Sequence, residues 1–402
     1  MTILSSTEGQ RNLPTYFPVI WGLISSIKVG VIEIALPDGR VFRSEAPEAG
    51  PYGRIDVVNP SMFRRMVRDG EMGFPESYMD GWWDTPDLQA LLDVVLMNND
   101  QVGRRMPGAE LVRLFERIRH WLRSNSRSQA QKNISYHYDL GNDFYEEWLD
   151  ESMTYSSALF DRPGMSLTEA QHRKYERICD EIGVKQGDRI LEIGCGWGGF
   201  AEYAARNRGA HVTGLTISQK QHEFALRRAQ EAGIEDRVEV KLQDYRDERG
   251  SYDGIVSIEM FEAVGEKYWP AYFETVKRCL KPGSRACLQI ITIADKYFAS
   301  YRKKVDFIQK YIFPGGMLPS PGALRQEVAD AGMNWLNSFE FADSYSQTLR
   351  IWHDSFNAKW VDISRLGFDD RFRRMWNLYL TSCAAVFAAK TSDVTQLTIS
   401  RN

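Results

Sequence analysis

The 402 residues exceed one average domain and point to two. Hydrophobic residues at 43% and charged residues at 26% give the balance of a protein that buries a core, and a formal net charge of -4 argues against a nucleic-acid binder. Five scattered cysteines without C-x-x-C spacing exclude an obvious zinc site, so no metal is expected, and they fit reduced thiols in a cytoplasmic compartment.

The chain opens on a polar stretch, Met1 to Asn12, without the cationic start and apolar core of a secretory signal. No apolar run approaches the roughly 20 residues that span a bilayer. The longest, Tyr16 to Ile27, reads as a buried or interfacial helix, so the protein is expected not to be integral to a membrane. Lys28 to Leu36 is rich in Val and Ile, and Pro37-Asp38-Gly39 separates it from a second short strand at Arg40 to Arg43, a hairpin signal. Asn59-Pro60 precedes a helical stretch, then the aromatic segment Glu76 to Trp83. Asp84-Thr85-Pro86-Asp87 reads as a cap into a helix at Leu88 to Met97. This region shows neither a catalytic triad nor a phosphate loop, and a small α+β accessory domain is expected.

From Glu110 to Arg123, apolar residues recur at helical spacing while Arg113, Arg117, Arg119, His120 and Arg123 occupy the other face. This is read as a surface helix packed on a domain, with a membrane-facing role left open by its excess of Arg. Ser124 to Lys132 lacks apolar periodicity and reads as the linker. The expected division is therefore an N-terminal accessory domain over 1-123, a linker over 124-133 and a catalytic domain over 134-402.

Beyond the linker, strand and helix alternate. Strands are expected at Arg189 to Ile193, His211 to Thr216, Val238 to Leu242, Tyr252 to Ile258 and Arg285 to Ile293, with helices at Gly199 to Asn207, Gln219 to Ala232 and Tyr268 to Leu280. That alternation implies an α/β fold with a parallel-rich sheet wound on both faces. Leu318 to Asn402 is read as further helices rich in aromatics, a helical cap.

Glu192-Ile193-Gly194-Cys195-Gly196-Trp197-Gly198-Gly199 follows a strand and opens a helix, as a loop does when its backbone must approach a ligand closely. A glycine loop alone is shared with dinucleotide enzymes. Here the next strand ends in Gly214-Leu215-Thr216-Ile217-Ser218 rather than in a lone ribose-binding acid. The strand after it ends in Gln243-Asp244-Tyr245, whose carboxylate suits an adenine amino group. Three such strand ends in a row form the crevice where open parallel sheets bind ligands. The arrangement is that of a Rossmann-like class I methyltransferase core, with S-adenosylmethionine rather than NAD as cofactor.

The succession Tyr136 to Phe144, Met153 to Ala158, Glu192 to Gly199, Gln243 to Asp247, Met260 to Gly265 and Tyr311 to Gly316 resembles the cyclopropane fatty acid synthases over roughly the last 270 residues. Tyr78 to Trp83 resembles the accessory domain of the full-length bacterial enzymes. The resemblance implies an enzyme that methylates the cis double bond of an unsaturated acyl chain in a membrane phospholipid and closes a cyclopropane ring. It implies a cytoplasmic protein peripherally associated with the bilayer, and relatives suggest a homodimer. Carried over by position, Tyr155 and Ser156 would contact the methionine part of the cofactor and Gly194 and Gly196 would lie beneath it. Thr216 and Gln221 would reach the ribose, and Asp244 and Tyr245 would border the adenine. The family's general base, a bound bicarbonate, would be held by Ser157, Glu262, Gln289, the Ile291 backbone and Tyr345.

Two of those positions depart from the bacterial pattern, Ser157 for Cys and Gln289 for His. Both touch the groups that position the base, so a methyl- or methylene-branched product stands as the alternative. A soluble small-molecule methyltransferase is a further alternative, since the cofactor fold does not set the acceptor. A catalytically dead lipid binder would predict damage to the glycine loop or loss of Glu262, and both are intact. His137, His172, His211 and His222 read as packing or surface residues.

Overall fold

The computed structural model of the chain describes residues 2–98 and 140–402. The Arg-rich segment at 110–123, the linker, both proposed domain boundaries, His137 and the start of the Tyr136 motif lie outside the described residues. Two lobes are built around separate sheets. In the first, β1 (Thr2–Leu4), β2 (Val29–Ala35), β3 (Arg40–Glu45), β4 (Glu48–Val57) and β5 (Trp83–Asp84) form a five-stranded sheet in the order β1-β3-β2-β4-β5. The expected hairpin is the antiparallel β2–β3 pair, turned at Gly39 with φ 87°. Helices α1 (Phe17–Ile24), α2 (Ser61–Asp69), α3 (Gly73–Met79) and α4 (Leu88–Met97) pack on it. The Asp87 side chain caps α4 by accepting from Ala90 N at 2.9 Å, the role its position suggested.

The second lobe holds α5 (Asn142–Glu146), α6 (Leu167–Ile182), β6 (Arg189–Ile193), α7 (Gly199–Arg208), β7 (His211–Thr216), α8 (Gln219–Glu231), β8 (Val238–Leu242), β9 (Tyr252–Ile258), α9 (Trp269–Cys279) and β10 (Leu280–Ile293). It continues with α10 (Asp295–Tyr301), α11 (Phe307–Tyr311), α12 (Pro321–Asp330), β11 (Asn334–Glu340), α13 (Ala342–Ala358), α14 (Trp360–Arg365), α15 (Asp370–Ala388) and β12 (Ser392–Ser400). The seven strands run in the order β11-β12-β10-β9-β6-β7-β8. The five expected strands pair in parallel and are buried by helices on both faces. One expectation is corrected. The C-terminal stretch is not helical throughout: β12 inserts antiparallel between β10 and β11. Its Val394, Leu397 and Ile399 are fully buried, but a nine-residue strand rich in Thr and Ser carries a weaker local signal than the aromatic helices before it.

The lobes meet on α15, whose Leu378 and Ala385 belong to the same buried cluster as Phe17, Phe42 and Trp83. Buried Glu76 of α3 accepts from Lys310 Nζ and Tyr311 Oη, each at 2.8 Å, and from Arg65 at 2.9 Å. Burial pushes its carboxyl up, but these donors outweigh that and hold it below the usual range. Among the described residues no helix is long and apolar enough to cross a membrane, and no group of His, Cys, Asp and Glu has the spacing to hold a metal.

Candidate active site

A cavity of about 1040 Å³ opens at the carboxyl ends of β6, β7, β8 and β9. It lies at the upper end of the roughly 300–1,000 Å³ typical of ligand sites. Tyr155, Ser156, Gly194, Gly196, Thr216, Gln221, Asp244 and Tyr245 all line it, as do Glu262, Ile291 and Tyr345. Ser157 and Gln289 lie behind that wall, wholly buried.

The glycine loop is built by backbone geometry. Gly194 N and Cys195 N both donate to Leu215 O, at 3.0 and 2.8 Å, which ties the loop to β7. Gly196 has φ 52°, and a Cβ added there would meet nothing within 4 Å, because that side faces the cavity. At the floor, Glu192 is buried and its Oε2 has no hydrogen-bond partner among the described residues. Burial pushes this carboxyl well above the usual range, and a cation beside it, such as the head of S-adenosylmethionine, would favour its charged form and give the unpaired oxygen a partner. Thr216 Oγ1 donates to Gln221 Oε1 at 3.0 Å, and both face the same space. Asp244 is gripped by Arg246 at 2.8 and 2.5 Å, so its carboxylate borders the cavity as half of an ion pair. The residues present therefore fit the cofactor.

Above this floor the walls become aromatic. Tyr155 Oη and Tyr379 Oη are 2.7 Å apart, the Tyr345 ring stacks on Phe387 at 4.4 Å, and Phe313 meets Tyr379 edge-on. These rings come from α13 and α15, from the loop after α11 and, for Tyr155, from the segment between α5 and α6. Ser156 Oγ accepts from Lys174 Nζ at 2.7 Å. Lys174 is wholly buried on α6, and desolvation pushes it down to about 7 despite the nearby charges of Glu259, Asp150 and Glu192.

The expected bicarbonate shell is where structure and expectation part. Ser157 N donates to Glu259 Oε1 at 2.8 Å, Gln289 Nε2 donates to the same oxygen at 2.8 Å, and Tyr345 Oη donates to Glu259 Oε2 at 2.6 Å. The second Gln289 amide hydrogen goes to Ser157 O at 3.3 Å, and Gln289 Oε1 accepts from Gln396 at 3.1 Å. The Ser157 hydroxyl is spent on Ala158 O, and Ile291 N on Glu262 Oε1. Every hydrogen that a bicarbonate would need there already points at a protein oxygen. These residues do not fit a bound anion, because the side chain of Glu259 stands in its place.

Glu259 was missed from the sequence. An acidic residue just past the tip of a fourth parallel strand, β9, was the available signal. Its φ of 48° was not legible.

Glu262 lines the cavity with Oε2 unpaired among the described residues. Burial, and then the charge of Glu259, push it up to about 8, so at neutral pH it holds a proton. An acid raised in the folded state contributes its full stability below the unfolded value of 4.5 and loses it as pH rises through about 8. Glu262→Gln, isosteric with the protonated acid, is expected to make the decline of Tm between pH 5.5 and 8.5 shallower, as thermal denaturation across that range would register. An unchanged slope would mean that Glu262 is ionised throughout.

Comparison with known proteins adds the following. The family model described as "Mycolic acid cyclopropane synthetase" matches residues 125–397. "Tuberculostearic acid methyltransferase UfaA1" of Mycobacterium tuberculosis is 39% identical over 87% of this chain and 85% of its own length. "Cyclopropane-fatty-acyl-phospholipid synthase" of Escherichia coli K12 is 37% identical over 92% of this chain and 96% of its own. Among solved structures, mycolic acid cyclopropane synthase CmaA1 complexed with SAH and CTAB aligns with a TM-score of 0.64 at 30% identity, covering 67% of this chain and 98% of that one.

Proposed function

The chain belongs to the mycolic acid cyclopropane synthetase family and is an S-adenosylmethionine-dependent methyltransferase, and from that premise we propose its acceptor and product. The acceptor is the cis double bond of an unsaturated fatty acyl chain in a membrane phospholipid, and the product is a cyclopropane fatty acyl chain. The protein works on the bilayer as a peripheral enzyme of the cytoplasm.

One observation carries this reading. A single cavity runs from the glycine loop to an aromatic cap and on to Leu96 and Met97 of the N-terminal lobe, so the cofactor pocket continues into a channel. Apolar side chains such as Phe313, Leu349 and Val386 line it together with polar ones such as Tyr301, Lys304 and Asp306, a mixture that suits an acyl chain carrying a polar head.

When bound, S-adenosylmethionine supplies an electrophilic methyl group. Gly194 and Gly196 would let the backbone approach it closely, Glu192 would meet its cationic head, and Thr216, Gln221 and Asp244 would orient the nucleoside. Methyl transfer to an alkene leaves positive charge on carbon, which the faces of Tyr345, Phe387 and Tyr379 stabilise. Which hydrogen is then lost decides between ring, methylene and shifted alkene.

The expected result is a fatty acid that gains one labelled carbon from the methyl donor and carries a cyclopropane, read by mass spectrometry of lipids from cells expressing the gene. The methyl-branched alternative has its own support, the 39% identity to a tuberculostearic acid methyltransferase. Labelled, ring-free chains would establish that alternative, and absence of label from the lipids would overturn the acceptor.

A further inference from the structure

Glu259 is held as few carboxylates are. Its backbone N donates to Gln289 O at 2.8 Å while its side chain accepts from Ser157, Gln289 and Tyr345. Its φ of 48° lies in the left-handed region that a residue with a side chain adopts only when its surroundings hold it there. Nothing in the turn requires a side chain at that φ, and glycine would take it without strain. The carboxylate also sits near a second acid, Glu262, an arrangement that costs stability. Strain and like-charge proximity are tolerated together at functional sites.

The position is suited to chemistry. Glu259 lines the cavity next to Met260 and Tyr345, between the glycine loop and the aromatic cap. Oε1 accepts two hydrogen bonds, whereas Oε2 accepts from Tyr345 alone among the described residues and keeps a lone pair. Burial pushes its carboxyl up, against Lys174 and the three donors, which strengthens it as a proton acceptor.

We propose that Glu259 supplies from the chain itself the anionic general base that the resemblance assigns to bicarbonate, and that this enzyme therefore works without bicarbonate. The inference rests on the alkene-methylating function above. In the step that closes a ring, a C–H bond of the transferred methyl group breaks, and its electron pair forms the second C–C bond, to the cationic carbon; in the ring-free alternative a C–H bond on a chain carbon next to the cation breaks, and its pair forms a C=C bond. The proton passes to Oε2, and the carboxylate becomes a carboxylic acid. No oxidant or further reactant is consumed.

The test uses the full-length enzyme with phospholipid vesicles bearing cis-unsaturated chains, in buffer purged of carbon dioxide, with or without added bicarbonate. Wild-type turnover is expected to stay within about 2-fold between the two conditions. Glu259→Gln, which keeps the shape and removes the charge, is expected to lose at least about 100-fold, equivalent to roughly 2.7 kcal/mol of barrier. Glu259→Gly relieves the backbone and opens an anion-sized space among Ser157, Gln289 and Tyr345. Added bicarbonate is expected to raise the Tm of that variant and not of wild type, a readout that needs no substrate. Bicarbonate-dependent wild-type turnover, a Glu259→Gln enzyme within about 3-fold of wild type, or a Glu259→Gly protein indifferent to bicarbonate would each overturn the proposal. Failure of wild type to label any lipid would instead strike the acceptor assignment, and the Tm comparison would still decide whether Glu259 fills an anion site.

Discussion

Gly196→Val abolishes S-adenosylmethionine binding, with an expected loss of at least about 100-fold in affinity, or roughly 2.7 kcal/mol. Gly196 sits at φ 52°, where a β-branched residue is strained by roughly 1–2 kcal/mol. The larger effect is steric. No protein atom lies within 4 Å of the added Cβ, so the isopropyl group extends into the volume meant for the cofactor. For the same reason the fold survives, with Tm lowered by a few degrees. Gly194 behaves differently, since a Cβ there would lie 2.6 Å from Met260 Cγ and disturb packing directly. Isothermal calorimetry on the folded Gly196→Val protein is the measurement, and undiminished affinity would move the nucleotide away from this loop.

Tyr345→Phe is expected to lower kcat by about 30- to 100-fold while leaving cofactor affinity within about 2-fold. Only the hydroxyl is removed, and the stacked contact with Phe387 at 4.4 Å is kept. The lost interaction is the 2.6 Å hydrogen bond to Glu259 Oε2. A donor to a carboxylate favours its charged form, so its removal raises the pKa of Glu259 further. Activity that needs the ionised carboxylate then declines at a higher pH, and the acid limb of the pH–rate profile moves up. A purely structural role for Tyr345 would lower stability without moving that limb. Turnover against pH for both proteins separates the two, and an unmoved profile with near-normal rate would reduce Tyr345 to a wall of the pocket.

The two predictions differ in how they were reached. The glycine loop is a local object: its spacing, the strand before it and the helix after it lie within one stretch of chain. The bounds of β6, β7, β8 and β9 coincide with the expected strands for a related reason. Each is a short apolar run closed by turn residues, a pattern that burial on both faces imposes directly on sequence. β12 is the contrast. It joins the sheet only because β10 and β11 flank it, and no local periodicity names those neighbours.

By itself, then, the amino-acid sequence determined the doubly covered parallel sheet, the cofactor loop, the hairpin of the N-terminal lobe and the residues now lining one cavity. The sheet, the loop and the hairpin depend on spacing within a segment, because period and turn chemistry are written locally, whereas most of the cavity residues came from the resemblance to the family. Tertiary structure alone decided what stands where the base is proposed. Ser157, Glu259, Gln289 and Tyr345 come from four separated elements, and only folding brings their donors to within 2.8 Å of one carboxylate. That space is filled by the side chain Glu259 carries, and a φ of 48° at the end of β9 goes with the conformation that brings it there. An angle of that kind is set by the packing around it rather than by the residue that adopts it.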